Sequence, residues 1–420
     1  MKFYNITLVF LFFLEFVFSP GVSMADNETI ILRFAHGGSE THPYQIGAKK
    51  FAEMAGKDVV DTGFIKQLRF KAKSFRSGDA YPYKAGDAAW LKAGGPLKLC
   101  IGPYEVENDR QYETKTFFQY MLAMEDEEKT KKVRDLVSYK NALERKVAEL
   151  IGSDLYTARD LTKNETPTPF VRVIKAAGEM HSSRPVPIAH NLPNLYRNEI
   201  GFLVETFSNH YEAKKSILED IASIVIAPDQ QQFVDYGSFI DNGHYHEFTH
   251  ATGPQGDYLA KTSDGSKVTV SAAIGEGGSA LEEGKADTGD ALFSAMVYGA
   301  ESQKFKQDAV TAIASLFRSS RFGVDSHGIG GMFRLAYFVE KGAIVREGGR
   351  FRTVFDKVEG VSGNLMREIG RIQASGNKAA AEKFIGTYMP KGEAILKEVV
   401  GKINAAGVPI DVDIHYEITL

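Results

Sequence analysis

The pattern of apolar and polar positions predicts a mainly helical chain with a few short strands. An apolar run over 6–18 follows Lys2 and precedes the breakers Pro20-Gly21 and the small residues Ser23-Met24-Ala25. That order predicts a signal peptide over 1–25, cleaved after Ala25. The run is too short to span a bilayer, and Glu15 inside it would be costly there. No later segment reaches spanning length, so the expectation is an exported protein, periplasmic or secreted, with no stable membrane insertion once the signal is removed. Residues 31–55 fit a strand, a loop and a short amphipathic helix. Residues 64–94 read as helical pieces, and 96–101 alternates like a strand. Residues 112–150 hold many charges and few breakers, which predicts one or two long helices, broken near 125–128. A strand-to-helix piece is expected over 170–180, and the prolines of 185–194 predict a loop. Amphipathic helices are expected at 309–317, 379–389 and 392–406, with a turn and a strand at 348–354.

One stretch carries a chemical pattern as well as a structural one. His246-Glu247-Phe248-Thr249-His250 is His-Glu-x-x-His. On a helix, His246 and His250 stand one turn apart on one face, where two imidazoles can grip one zinc ion. Glu247 lies beside them, placed to take a proton from water. The apolar residues of 232–240 can bury the opposite side, and Gly253-Pro254 is a helix stop. Downstream, Glu283 and Asp287 share a helical face, so one carboxylate can bind the metal while the other orients a ligand. The alternative for this pair is a solvated acidic first turn. Around Pro193, Asn191 and Asn194 can present amides to an extended peptide, although a turn in which both bond their own backbone explains them locally.

Composition narrows the choice. The 420 residues are 43% hydrophobic and 25% charged, enough for a large core and two lobes or domains. A net charge of −4 argues against a nucleic-acid partner. The single cysteine, Cys100, excludes an intramolecular disulfide and a cysteine-based zinc site, leaving histidines and carboxylates as ligands. That donor set suits a catalytic site with an open position.

Two resemblances follow. Residues 31–55 are similar to the start of solute-binding proteins of tripartite periplasmic transporters. The larger likeness rests on Ile101-Gly102-Pro103-Tyr104-Glu105-Val106, His190-Asn191-Leu192-Pro193-Asn194, the His246–His250 motif, and Glu282-Glu283-Gly284-Lys285-Ala286-Asp287. Ser326-His327-Gly328 and Val339-Glu340-Lys341-Gly342-Ala343-Ile344 extend it. In this order the pieces resemble the dipeptidyl peptidase III family of zinc peptidases, in a shorter branch related to zinc hydrolases with Nudix names. The resemblance implies an α+β, mainly helical fold with two lobes across a cleft: a helical zinc lobe and a smaller mixed lobe with a partial β-barrel. It implies one zinc ion held by His246, His250 and Glu283, with Asp287 behind them, Glu247 as general base and His327 beside the scissile bond. Glu105, Asn191 and Asn194 would receive the free amino end of a short peptide substrate. The domain expectation is a signal peptide at 1–25, an N-terminal segment at 26–60 and the peptidase-like region at 61–420.

The chain also departs from the family. The best-known branch has one more residue inside its zinc motif, Glu107 stands where a tyrosine is common, and the turn Gly328-Ile329-Gly330-Gly331 after His327 lacks an arginine of the long branch. The competing expectation is an exported peptide- or solute-binding protein with a structural or vestigial metal site, for which Glu247 would be unnecessary.

Overall fold

The computed structural model describes residues 62–105, 116–161, 167–182, 186–193, 196–256, 258–323, 325–414 and 416. The expected signal peptide, the 26–60 segment and Asn194 lie outside them, as does the side chain of Glu105. The chain divides into two compact units, Met1–Lys98 with Tyr416–Leu420, and Leu99–His415.

In the first unit, α1 (Thr62–Ser77) and α2 (Ala80–Leu91) form a helical pair. Phe64 and Trp90 are buried in it, so the only tryptophan is a core residue. Lys71 and Asp87 form a buried ion pair at 2.6 Å, the ammonium also lying over the Tyr83 ring.

The second unit carries the sheet and most of the helices. β1 (Leu97–Glu105), β2 (Phe117–Glu125), β3 (Phe170–Gly178), β4 (Ala189–Leu192) and β5 (Leu203–Phe207) form an open mixed sheet in the order β1-β2-β3-β5-β4. β2 and β3 are antiparallel, β3 and β5 parallel, β4 and β5 antiparallel. The described strands leave β1 and β4 as edges, so the expected partial barrel is not found among them.

Two sequence expectations are corrected here. Residues 117–125 are a strand, not the start of a long helix. Residues 117–124 hold no charge and are rich in aromatic and aliphatic side chains, with Gln119, Met121, Leu122 and Ala123 buried. The charge-rich helical pattern begins only afterwards, in α3 (Glu127–Val137), whose N-cap Asp126 accepts from Lys129 N at 3.0 Å, and in α4 (Lys140–Ile151). Likewise 189–192, expected as loop, is the edge strand β4, paired by His190↔Glu205 and Asn191↔Val204.

The helical body consists of α5 (Ser208–Val225), α6 (Tyr236–His250), α7 (Gly278–Tyr298), α8 (Gln303–Ser319), α9 (Ser326–Glu340), α10 (Phe355–Ser375) and α11 (Lys378–Ala405). A hairpin, β6 (Ile344–Glu347) and β7 (Arg350–Thr353), turns at Gly348-Gly349, both with positive φ. α11 corrects a third expectation, for it runs unbroken through Pro390. Phe384 before the proline and Leu396, Val399 and Ile403 after it enter one core, and that packing outweighs the lost backbone hydrogen bond. Ile221, Val310, Phe317, Phe333 and Leu365 lie in the same core. No helix among the described residues is long and apolar enough to cross a membrane.

Candidate active site

The His-Glu-x-x-His motif is helical, as its spacing predicts. α6 begins only at Tyr236, after a 3-10 turn at Pro228–Phe233, and its N-cap Asp235 accepts from Ser238 N at 2.7 Å. It ends at His250, three residues before Gly253. Its inner face is fixed by Tyr245 and Phe248, both stacked on Phe293 of α7 with centroids 4.8 and 5.7 Å apart. His244 belongs to that face: it is buried, meets Thr206 Oγ1 at 2.7 Å, and burial pushes its pKa down to about 3. It is a neutral core histidine. The opposite face turns Gly243, His246, Glu247 and His250 toward a cavity of about 410 Å³ within the second unit.

α7 brings the carboxylates. It starts at Gly278 with no acid in its first turn, so Glu283 and Asp287 are not a solvated helix start. Small residues let it sit close between α6 and α9. A Cβ at Gly289 would overlap Thr249 Oγ1 on α6, and one at Gly284 would overlap the Phe333 ring on α9.

At the centre, Glu283 Oε2 is buried without a well-formed hydrogen bond among the described residues. It lies 3.3 Å from His246 Nε2, 3.6 Å from His250 Nε2 and 2.9 Å from His327 Nδ1. The two motif nitrogens are 3.0 Å apart. His246, Glu283 and His327 offer donor atoms that all lie within 4.8 Å of one another; His250 is not part of that group, though its Nε2 lies 3.0 Å from His246 Nε2. Tetrahedral zinc sites with bonds of about 2.0–2.2 Å place their donors roughly 3.3–3.6 Å apart. A buried, unsatisfied carboxylate oxygen among imidazole nitrogens at these separations fits a zinc ion.

The outer nitrogens are already engaged. His246 Nδ1 donates to Asp287 Oδ1 at 2.8 Å, and His250 Nδ1 to Glu282 Oε1 at 2.9 Å. Both bonds leave Nε2 directed at Glu283. Asp287 faces Arg334 at 3.8 Å; Glu282 is held by Lys285 Nζ and Gln373 Nε2, each at 2.9 Å. Behind His250, Gln255 Nε2 donates to its carbonyl at 2.7 Å.

The charges are strongly coupled. Burial would raise Glu283, but His327, His250 and His246 hold it well below the usual carboxylate range. Burial likewise opposes protonation of His246, yet Asp287 and Glu283 raise it well above the ordinary value. His327 rises to about 9, Glu283 overcoming its burial. Glu282 is buried too, but Lys285 and His250 hold it down to about 2. Protonation of these imidazoles would compete with the binding of a cation.

The structure thus gathers His246, Glu247, His250, Glu283, Asp287 and His327 in one place. Asn191 also lines the cavity, but its amide donates to the Glu247 carbonyl at 2.8 Å and ties β4 to α6. Glu105 closes β1, its side chain not described. Sequence reasoning missed Gln255, Gln373, Arg318 and Arg334. Only Arg334, seven residues after His327 on one helix, carried a periodic signal.

Fold and site together define an α+β protein with a cluster of candidate metal-ligating side chains carried by α6, α7 and α9 at a cavity. Its fold is similar to that of dipeptidyl-peptidase III. The structure of dipeptidyl-peptidase III from Corallococcus sp. strain EGB matches with a TM-score of 0.74 and 26% identity, over 89% of this chain and 68% of that one. DPP III from Caldithrix abyssi matches at 0.70 and 26%, over 88% and 69%. In sequence, the chain is 31% identical over 378 residues to Nudix hydrolase 3 of Arabidopsis thaliana, covering 88% of this chain. It spans about half the length of that relative, 47%. No protein-family model matches the sequence.

Proposed function

We propose that the chain is a zinc-dependent hydrolase that cleaves short peptides and releases dipeptides from a free N-terminus. The observation that carries this reading is the buried Glu283 Oε2 facing both motif imidazoles, with Glu247 on the same wall of the cavity. The structural likeness to dipeptidyl-peptidase III supports it.

In this reading His246, His250 and Glu283 hold the ion. Bound zinc supplies Lewis acidity, polarising a carbonyl and acidifying a water molecule. Glu247 takes the proton of the attacking water, whose oxygen bonds to the scissile carbonyl carbon. As the C–N bond breaks, Glu247 returns that proton to the leaving amine. His327, beside Glu283, donates toward the oxygen on which charge develops. Asp287 and Glu282 keep the two imidazoles in the tautomer that presents Nε2. Glu105, Asn191 and Asn194 would receive the amino end of the peptide. Export directed by residues 1–25 belongs to the same proposal, and a mature N-terminus at Asp26 checks it.

The test joins metal analysis of the purified protein to turnover of a peptide panel by wild type and Glu247→Gln. The expected result is about one zinc per chain in both, with dipeptide release slowed about 10²–10⁴-fold or more in the variant. Zinc without cleavage of any peptide would favour a binding protein. Absence of metal would refute the assignment.

A further inference from the structure

The cavity holds a cation for which hydrolysis itself has no use. Arg318 stands at the C-terminal end of α8 and lines the same cavity as His246, Glu247, Glu283 and His327. It is only 6% exposed, yet neither Nε nor Nη1 has a hydrogen-bond partner among the described residues. An arginine at a helix end ordinarily bonds the last carbonyls; these two nitrogens do not. Its guanidinium lies between aromatic rings, with Cζ 5.5 Å from the Phe239 centroid and 5.2 Å from that of Phe322.

Lys214, the neighbouring cation, provides the contrast. Its ammonium is 5.9 Å from the same Phe322 ring, but Asp411 pairs with it at 3.0 Å and the Val186 carbonyl accepts from it. Asp411 has its other oxygen on Val186 N at 2.6 Å. Lys214 is therefore neutralised in place, while Arg318 forms no ion pair among the described residues. Burial pushes Arg318 below the ordinary guanidinium value, and Asp411, Tyr211 and Asp287 act on it only from a distance. A buried charge without a partner is costly, and a planar fork with open donors matches a carboxylate.

We propose that Arg318 receives the C-terminal carboxylate of the peptide substrate, so that the cavity selects short peptides with a free carboxyl end. The proposal rests on the peptidase reading and adds the opposite end of the substrate to it. The two aromatic rings fix the plane of the guanidinium, and the cavity volume limits the chain between the cleaved bond and the carboxylate. Arg318 is then a determinant of peptide length as well as of charge.

The experiment uses three forms of one tetrapeptide: the free acid, the C-terminal amide, and an amide whose last residue is glutamate. Binding to the zinc-loaded Glu247→Gln protein is read by calorimetry, and turnover by the zinc-loaded wild type is read in parallel. The free acid should bind about 10–100-fold more tightly than the plain amide, the range of a charged hydrogen-bonded contact. The difference should appear in KM more than in kcat. In Arg318→Met, which keeps the length and apolar contacts of the side chain, acid and amide should converge within about twofold. Equal binding of acid and amide by the protein with Arg318 intact overturns the proposal without reference to any variant. Recovery of full affinity by the glutamate amide overturns the terminal assignment in favour of a side-chain carboxylate. Selective binding of the free acid with no cleavage would refute the peptidase reading and leave the role of Arg318 standing.

Discussion

Asp287 offers the sharpest quantitative test of the metal centre. Its Oδ1 accepts from His246 Nδ1 at 2.8 Å, so it fixes both the tautomer and the tilt of that ring. Carboxylates in this position typically contribute about 10–100-fold to metal affinity, or roughly 1.4–2.7 kcal/mol. Asp287→Ala should reach the upper part of that range, because Nδ1 loses its acceptor and Arg334, 4% exposed, keeps among the described residues only the carboxylate of Asp290 at 3.9 Å. Asp287→Asn preserves shape and an acceptor oxygen and should fall in the lower part. A second effect runs the other way. In the metal-free chain Asp287 raises the pKa of His246 against its burial, so wild type must release a more tightly held proton when metal binds. That penalty grows as pH falls, and the deficit of either variant should therefore be smaller at pH 6 than at pH 8. Zinc affinity is measured by competition with a chromophoric chelator at both pH values, with circular dichroism reporting the fold. Affinities within twofold of wild type for both variants at pH 8 would show that this hydrogen bond does not orient the site.

Three other expectations test different levels of the structure. Gly289→Ala should cost about 1–3 kcal/mol of stability and weaken zinc binding, because the new methyl overlaps Thr249 and pushes α6 from α7; an unchanged denaturation midpoint would contradict this packing. His210 is buried, donates Nδ1 to the Pro187 carbonyl at 2.5 Å, and is pushed down to about 4 chiefly by burial. Between pH 6.5 and 4 the unfolded chain binds a proton there that the folded chain does not, so the contribution of this group is intact above 6.5 and is lost on acidification, up to about 3 kcal/mol. His210→Gln should flatten that slope in denaturant titrations at pH 7.5 and 5, and an identical slope would exclude His210 as its source. Removing metal with a chelator should abolish turnover while far-ultraviolet circular dichroism stays native, since the α6–α7 contact is made by Tyr245, Phe248 and Phe293; cooperative unfolding on chelation would contradict it.

The helical pairing of the candidate ligands was readable because its geometry is local. His246 and His250, and again Glu283 and Asp287, are four residues apart on single helices, and that spacing alone puts each pair on one face. How the two faces meet was not readable. It depends on Gly284 and Gly289, which look neutral in a sequence and whose purpose appears only against Phe333 and Thr249. Arg318 was hidden for a related reason: one cation at the end of an amphipathic helix looks like a solvated residue until Phe239 and Phe322 enclose it. The strands were missed where pairing overrides local pattern. β2 adjoins a charge-rich helix and β4 lies among prolines, and both owe their conformation to pairing with another strand that the local pattern does not show. The opposite error occurred at Pro390, where one residue implied a break that the packing on both sides removes.

The coupled protons around Glu283 have a consequence for the order of assembly. Mutual repulsion among bare carboxylates would work against folding, but His246, His250 and His327 all have raised pKa values and supply the missing positive charge. Protons on these imidazoles could then balance the carboxylates, so that the helices would close before an ion arrives. A zinc finger needs its metal in order to fold; this chain would fold first and load afterwards. Its donors are imidazole and carboxylate, which several divalent ions share, and raw affinity follows the general order of the first transition series. If an ion does occupy the site, its identity would then depend on which ions are available where folding is completed.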